Sequence, residues 1–397
     1  MRLAGFRHRL AIATTMIYWL WAAVAAAEAG HPLKTIGGSN YISYGHMEDY
    51  LDTLAFDPQL GRLRFDVTKL RPVIATYHRD PASVHQQLQA MSTNGQKIIS
   101  FPLWFGDAKL GDLKDGYHLY LAMSNGGHLQ EQQRKNLAEI IGALANNHFE
   151  SMILRFIPQG LNSPYQWSTF EQDTFDTDWA FIHSTVELAR EHLAGTGIRL
   201  MVDLGGEQAG ANRGRNHEYV VELWRRFCAA YRECSDFAYL SFNPTPPNVE
   251  DRITNHYDWQ MEAGGPIQDI YAFDTYGYGY GKKLPVRQWN VYAQLADIYR
   301  VLSRLGQLGK TIFIQEAFYN DPRTAQDLRQ FFADHPDFRL LTVIQWPNTR
   351  ERYQKFFSQG MRNWASEDFP ADYCVYAQLA PNGPAICPPS ATPSSAQ

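Results

Sequence analysis

The sequence predicts an α/β chain folded as a (β/α)8 TIM barrel, with an N-terminal extension and a short disulfide-bearing C-terminal tail, and three observations carry that expectation. Short β-branched or aromatic runs alternate with longer amphipathic segments from about residue 70 to residue 366, which is the pattern of repeated βα units. The runs are almost continuously apolar, as strands covered on both faces of a parallel sheet must be. Eight such units occur, and no G-x-G-x-x-G follows the first run, which favours a barrel over a doubly wound nucleotide-binding sheet.

The first strand is read at 72–77 (PVIATY), followed by a helix over 82–91. The second, 97–101 (KIISF), leads to a helix at 129–145, and the third, 151–157 (SMILRFI), to one at 178–193. Gly195 and Gly197 punctuate the chain before the fourth strand, 198–204 (IRLMVDL), whose helix covers 217–232. The fifth strand is 237–242 (FAYLSF) with a helix at 249–261, and the sixth is 270–276 (IYAFDTY) with a helix at 288–305. The seventh, 311–316 (TIFIQE), is followed by Pro322 and a helix at 325–333, and the eighth, 342–346 (TVIQW), by a helix at 350–364. Residues 40–45 (NYISYG) also read as a strand and would make nine. They are assigned to an N-terminal cap over 28–70, with the barrel spanning 71–366; as the true first strand they would move the strand numbers by one but not the residues at strand ends. The segment 367–397 is rich in Pro, Ala and Ser, and its last ten residues (PPSATPSSAQ) hold too little apolar surface to pack.

Arg2, Arg7 and Arg9 precede an apolar run over 10–27 that ends in small residues. This reads as a secretory signal peptide over 1–27, with an uncleaved anchor as the alternative. No other stretch approaches a membrane-spanning length, so a soluble monomer, secreted or periplasmic, is expected. Removing three arginines and no acid from 36 basic and 41 acidic residues leaves 33 against 41, a net charge of −8. A basic nucleic-acid footprint is therefore missing. The cysteines form two local pairs, Cys228 with Cys234 and Cys374 with Cys387, which could close two short loops in an oxidising compartment, although four cysteines permit three pairings. Neither pair has zinc-ribbon spacing.

Functional groups of such a barrel lie where strands end. The fourth run ends in Gly205, Gly206 and Glu207, and the seventh in Gln315 and Glu316; the sixth presents Asp274 and Tyr276, and the eighth Gln345 and Trp346. Two carboxylates on opposite sides of a barrel mouth can flank a glycosidic bond, one protonating the leaving oxygen while the other attacks or activates water. Aromatic residues make up 14% of the chain, with ten tryptophans, a composition suited to sugar stacking, with core filling as the alternative for any single ring.

The segments VDLGGEQ (202–208) and IFIQEA (312–317) resemble the clan A glycoside hydrolases, barrel enzymes that include many cellulases, mannanases and β-xylosidases. That resemblance implies Glu207 as acid/base and Glu316 as nucleophile in retaining cleavage of β-glycosidic bonds of a polysaccharide, with no cofactor. It also implies that Tyr276 (in FDTYGYG) hydrogen-bonds the nucleophile and that Trp346 (in IQWPN) floors the sugar subsite. The chain departs from the clan at Gly206, where members carry an Asn that contacts the sugar 2-hydroxyl; Asn243, after the fifth strand, is the candidate substitute.

His78, Arg79 and Asp80 after the first strand, and Arg155 within the third, are candidates for binding substrate hydroxyls or for holding the nucleophile ionised, with rim salt bridges as the alternative. Trp104, Phe105, Trp167, Tyr278 and Tyr280 are expected to line the cleft. Asp203 and Asp274 are reserve carboxylates, and with His78 and His256 they define the rival metal site. No G-x-S-x-G elbow supports an esterase. Glu207 could instead cap the following helix, and Glu316 could instead serve as an ion-pair partner of Arg155. Two rivals follow: a catalytically silent polysaccharide-binding barrel assisting exopolysaccharide assembly or export, and a metal-dependent polysaccharide hydrolase or deacetylase.

Overall fold

The computed structural model describes residues 36–45, 55–57, 62–64, 71–107, 121–124, 126–206, 208–244, 249–276, 290–347, 349–350 and 371–381. The expected signal peptide over 1–27, Glu207, Tyr278, Tyr280, Cys387 and residues 351–364 of the expected eighth helix lie outside them. Eight parallel strands form the barrel: β1 (Gly38–Asn40), β2 (Ile98–Asp107), β3 (Ser151–Pro158), β4 (Arg199–Asp203), β5 (Ala238–Tyr239), β6 (Ile270–Thr275), β7 (Thr311–Ala317) and β8 (Leu340–Gln345). They pair in the order β5-β4-β3-β2-β1-β8-β7-β6, and a parallel bridge between Phe242 and Phe273 joins the two ends. A short strand, Leu121–Ser124, adds to the end of β2.

Among the described residues, seven helices of 13 residues or more connect these strands: α1 (Pro81–Thr93), α2 (Glu131–Asn146), α3 (Gln172–Leu193), α4 (Asn216–Ala230), α5 (Val249–Ala263), α6 (Val291–Arg304) and α7 (Pro322–Asp334). Their local signals are those of helix starts. Pro81 and Pro322 sit in the first turns of α1 and α7, where a missing N–H costs nothing, and Asp80, Asn290 and Asp321 accept backbone N–H groups at the caps. Ser83 hydrogen bonds hold the Asp80 carboxyl below its ordinary range.

Alternate strand residues point inward, so Ile98, Ile153, Met201, Tyr239, Ile270, Ala272, Phe313 and Ile344 fill the barrel as one cluster. The opposite faces pack against the helices in a larger second cluster. Gly38 is required where it stands, because a Cβ there would lie 1.7 Å from the Ile98 carbonyl oxygen.

The first strand is therefore Gly38–Asn40, and the barrel starts well before residue 71. The expected first strand at 72–77 is instead a short helix, Val73–Thr76, that leads into a 3-10 turn over Tyr77–Arg79. Pro72 starts it, and Asn136 of α2 donates to the Ile74 carbonyl at 2.8 Å. Loss of one candidate and gain of another leave the numbers of strands two to eight unchanged.

Residues 371–376 fasten the seam between β1 and β8. The Tyr373 hydroxyl donates to the Val343 carbonyl, Gln345 donates to the Asp372 carbonyl, and Gln96 donates to the Ala371 carbonyl. Cys228 and Cys234 form a disulfide between the end of α4 and the turn before β5; Cys374 is also disulfide-bonded. No helix among the described residues is long and apolar enough to cross a membrane.

Candidate active site

The site begins with a break in strand periodicity. Along β7, Phe313 and Gln315 face the barrel interior, so Glu316 would ordinarily face the helices. The register between β7 and β6 slips between Ile314 and Glu316: Ile314 is opposite Phe273, yet Glu316 is opposite Asp274. Gln315 is the extra residue, and such a bulge re-aims the residue after it. Both neighbours consequently reach the interior. Gln315 accepts from the Tyr239 hydroxyl and donates to Ser100, while Glu316 meets Arg155 and Tyr276.

Arg155 is inward-facing on β3 and fully buried, so its charge needs partners. Its Nη1 donates to Glu316 Oε1 at 2.5 Å, its Nε donates to Asp203 Oδ2 at 2.9 Å, and its Nη2 lies 4.0 Å from Asp274 Oδ1. The other oxygen of Glu316 accepts from the Tyr276 hydroxyl. Glu316 is 4% exposed and both its oxygens are held by charged or hydroxyl donors, the stronger class of hydrogen bond. Asn40 completes the layer beneath: its Oδ1 accepts from Ser100 Oγ at 2.7 Å, and its Nδ2 donates to the Gln315 and Gln345 carbonyls.

Asp203, at the end of β4, accepts from Gly205 N (2.9 Å), Gly206 N (3.3 Å) and Ser241 N (3.0 Å) at Oδ1, and from Ser241 Oγ (2.7 Å) at Oδ2 beside Arg155. The glycines suit this turn. Gly206 has φ +45°, and a Cβ on it would lie 2.7 Å from the Phe156 carbonyl oxygen. The backbone thus accounts for glycine at the position where the clan A pattern has Asn.

Trp104 and Trp346 are both partly exposed and inward-facing, and their rings meet edge to face at 5.9 Å across the short β1. Tyr276 is partly exposed, with its ring against Phe318. Asn243 follows β5, partly exposed, its carbonyl accepting from Arg252.

Other expected site residues fall elsewhere. Trp167 is 6% exposed, donates Nε1 to the Leu161 carbonyl, and packs edge-on against Phe170 and Tyr219; it is a core residue that anchors the loop after β3 and offers no open face. Phe105 is fully buried against Phe181. His78 stands exposed on the 3-10 turn with a ring nitrogen 3.1 Å from Asn136, because the strand expected to carry it is helical. His256 is buried on α5 and bonds the Leu240 carbonyl; desolvation pushes its pKa down to about 4. Among the described residues no group of three or more His, Cys, Asp or Glu side chains could hold a metal ion.

The parts that the sequence alone did not single out are Asn40, Ser100 and Ser241. Their signal was available as polar residues at i, i+2 spacing from the inward positions of apolar strands.

No protein-family model matches the chain, and no curated protein matches it. Solved structures similar to it include a GH5_18 protein of Streptomyces cattleya in complex with GlcNAc, at 14% identity over 90% of this chain and 83% of that one, with a TM-score of 0.49. An exo-β-1,4-mannosidase of Opitutaceae bacterium strain TAV5 aligns at 13% identity over 86% of this chain, TM-score 0.46; this chain spans 60% of its length. A family 1 β-glucosidase of Thermotoga maritima aligns at 11% identity over 80% of this chain and 88% of that one, TM-score 0.45.

Proposed function

We propose that the chain is a glycoside hydrolase that cleaves β-glycosidic bonds of a polysaccharide by a two-carboxylate retaining mechanism, with Glu316 as nucleophile and Glu207 as acid/base. The carrying observation is the grip on Glu316: a bulge turns it into the barrel mouth, Arg155 holds one oxygen at 2.5 Å, and Tyr276 holds the other. A carboxylate neutralised and oriented in this way is suited to attack a carbon on which positive charge develops. Glu207 takes the second role from its place directly after the Gly205–Gly206 turn that Asp203 secures.

In the first step an oxygen of Glu316 bonds to the anomeric carbon while the bond from that carbon to the glycosidic oxygen breaks, and the Glu207 carboxyl gives its proton to the glycosidic oxygen, which leaves as a hydroxyl of the departing sugar. In the second, Glu207 takes a proton from water as the water oxygen displaces Glu316. Trp346 and Trp104 offer aromatic faces for a sugar ring at the same mouth. The Cys228–Cys234 disulfide supports a secreted or periplasmic setting.

The test is release of reducing ends from a panel of β-linked polysaccharides, compared between wild type and Glu316→Gln. Cleavage by the wild type, reduced about 1000-fold or more in the variant while binding persists, is the expected result. Binding by both proteins with cleavage by neither identifies a silent binding barrel. Activity lost on chelation identifies a metal-dependent enzyme.

A further inference from the structure

We propose that Asp203 is a positioning residue that couples the two halves of the site, dividing its two oxygens between the nucleophile's guanidinium partner and the turn that leads to Glu207. The inference rests on the glycosidase reading above. Asp203 Oδ1 gathers Gly205 N, Gly206 N and Ser241 N, which sets the height of the turn after β4 against the end of β5. Asp203 Oδ2 gathers Arg155 Nε at 2.9 Å and Ser241 Oγ at 2.7 Å. Arg155 then presents Nη1 to Glu316.

One fully buried carboxylate thus shares a guanidinium with Glu316 and also fixes the backbone two residues ahead of the acid/base. A residue that only pinned strand ends would have no reason to face Arg155. Among the described residues, the charged and titratable groups around Glu316 are Arg155 from β3, Asp274 from β6, Tyr276 just after β6 and, across the guanidinium, Asp203 from β4. Asn40, Gln315 and the aromatic Trp346 bring no charge. Asp203 therefore regulates how much of the Arg155 charge Glu316 feels.

The test uses the full chain carrying Asp203→Asn. The amide oxygen can still accept the three backbone N–H groups, whereas its NH2 faces Arg155 Nε, so the change breaks the ion pair and spares the turn. With the guanidinium undivided, Glu316 is held as an anion more strongly. The acidic limb of kcat/KM moves to lower pH by about one unit, and kcat falls about 10-fold with KM changed by less than about twofold. A carboxyl 13C titration of Glu316, assigned by its loss in Glu316→Gln, moves the same way.

Ser241→Ala keeps the charge but removes one donor, leaving the Asp203 charge less satisfied, so the limb and the titration move slightly upward; this variant decides the matter if Asp203→Asn does not fold. Folded variants with lower activity but an unmoved limb and titration overturn the inference. A wild type that cleaves no polysaccharide removes the glycosidase reading, and the 13C titration still decides whether Asp203 is coupled to Glu316.

Discussion

Replacing Arg155 with Met removes a guanidinium that meets three carboxylates inside the barrel while nearly preserving volume, so the loss is one of charge pairing with little cavity contribution. Asp203 and Glu316 lie at 2.9 and 2.5 Å, and Asp274 lies at 4.0 Å. A pair of unit charges 4 Å apart is worth about 4 kcal/mol at an effective dielectric constant of ~20. Desolvation offsets much of that in the intact site, but removing one partner of a buried pair leaves the others uncompensated, at about 3–5 kcal/mol. With each kcal/mol lowering Tm by about 2–4 °C in a large domain, Arg155→Met should melt about 6–20 °C below wild type. Far-UV circular dichroism melts at pH 8 and pH 5 check this. The deficit should narrow at pH 5, because protons can neutralise carboxylates that have lost their counter-charge. A variant melting within about 2 °C of wild type at both pH values would refute the account of Arg155 as the charge centre of the interior.

Trp346→Ala should raise KM for a cleaved oligosaccharide about 10-fold with a smaller change in kcat, since it removes a ring face at the mouth without touching the carboxylates; initial-rate kinetics read this directly. Gly206→Asn, which places Asn where the clan A pattern has it, should destabilise the fold by about 1–3 kcal/mol and raise no activity, because φ is +45° and the new Cβ meets the Phe156 carbonyl; urea midpoints measure it. His256, whose pKa is pushed down to about 4 by burial, is neutral when folded and takes up a proton first when unfolded. Its contribution is complete above about pH 6.5 and falls away between there and about pH 4, by about 3 kcal/mol. His256→Gln should be less stable at pH 7 yet lose less between pH 7 and pH 4.5. Cys228→Ser with Cys234→Ser should cost about 2 kcal/mol, the value for so short a loop, in denaturant titrations under non-reducing conditions.

Seven of the barrel strands were legible because they are buried on both faces and therefore spell almost continuous apolar runs. β1 was not, because Gly38–Asn40 is three small or polar residues chosen for close approach to Ile98 and for the Asn40 hydrogen bonds. The run at 72–77 misled for a related reason: six residues, four of them apolar and one a Pro, have too little length for periodicity to separate strand from helix. Glu316 stood out as an acid closing an apolar strand. What no pattern could display was the slip at Gln315, since period two alone would turn Glu316 outward, or the meeting of Asp203 with Arg155 from a different strand. Trp167 was misplaced because a ring in a loop near the mouth reads the same in sequence whether its face is open or, as here, covered by Phe170 and Tyr219.

The seam fastened by residues 371–376 bears on how this barrel forms. The hydrogen bond from Gln345 to Ser39 spans 306 positions, and the one from Gln96 to Ala371 spans 275. Contacts so distant in the chain are gained only after a large loss of loop entropy, and topologies that depend on them fold slowly. During synthesis β1 has β2 as its first partner, and its other edge stays unpaired until β8 and then the clasp are available. Ring closure is thus a late event, and the interval before it is when an open strand edge is most exposed to pairing with another chain.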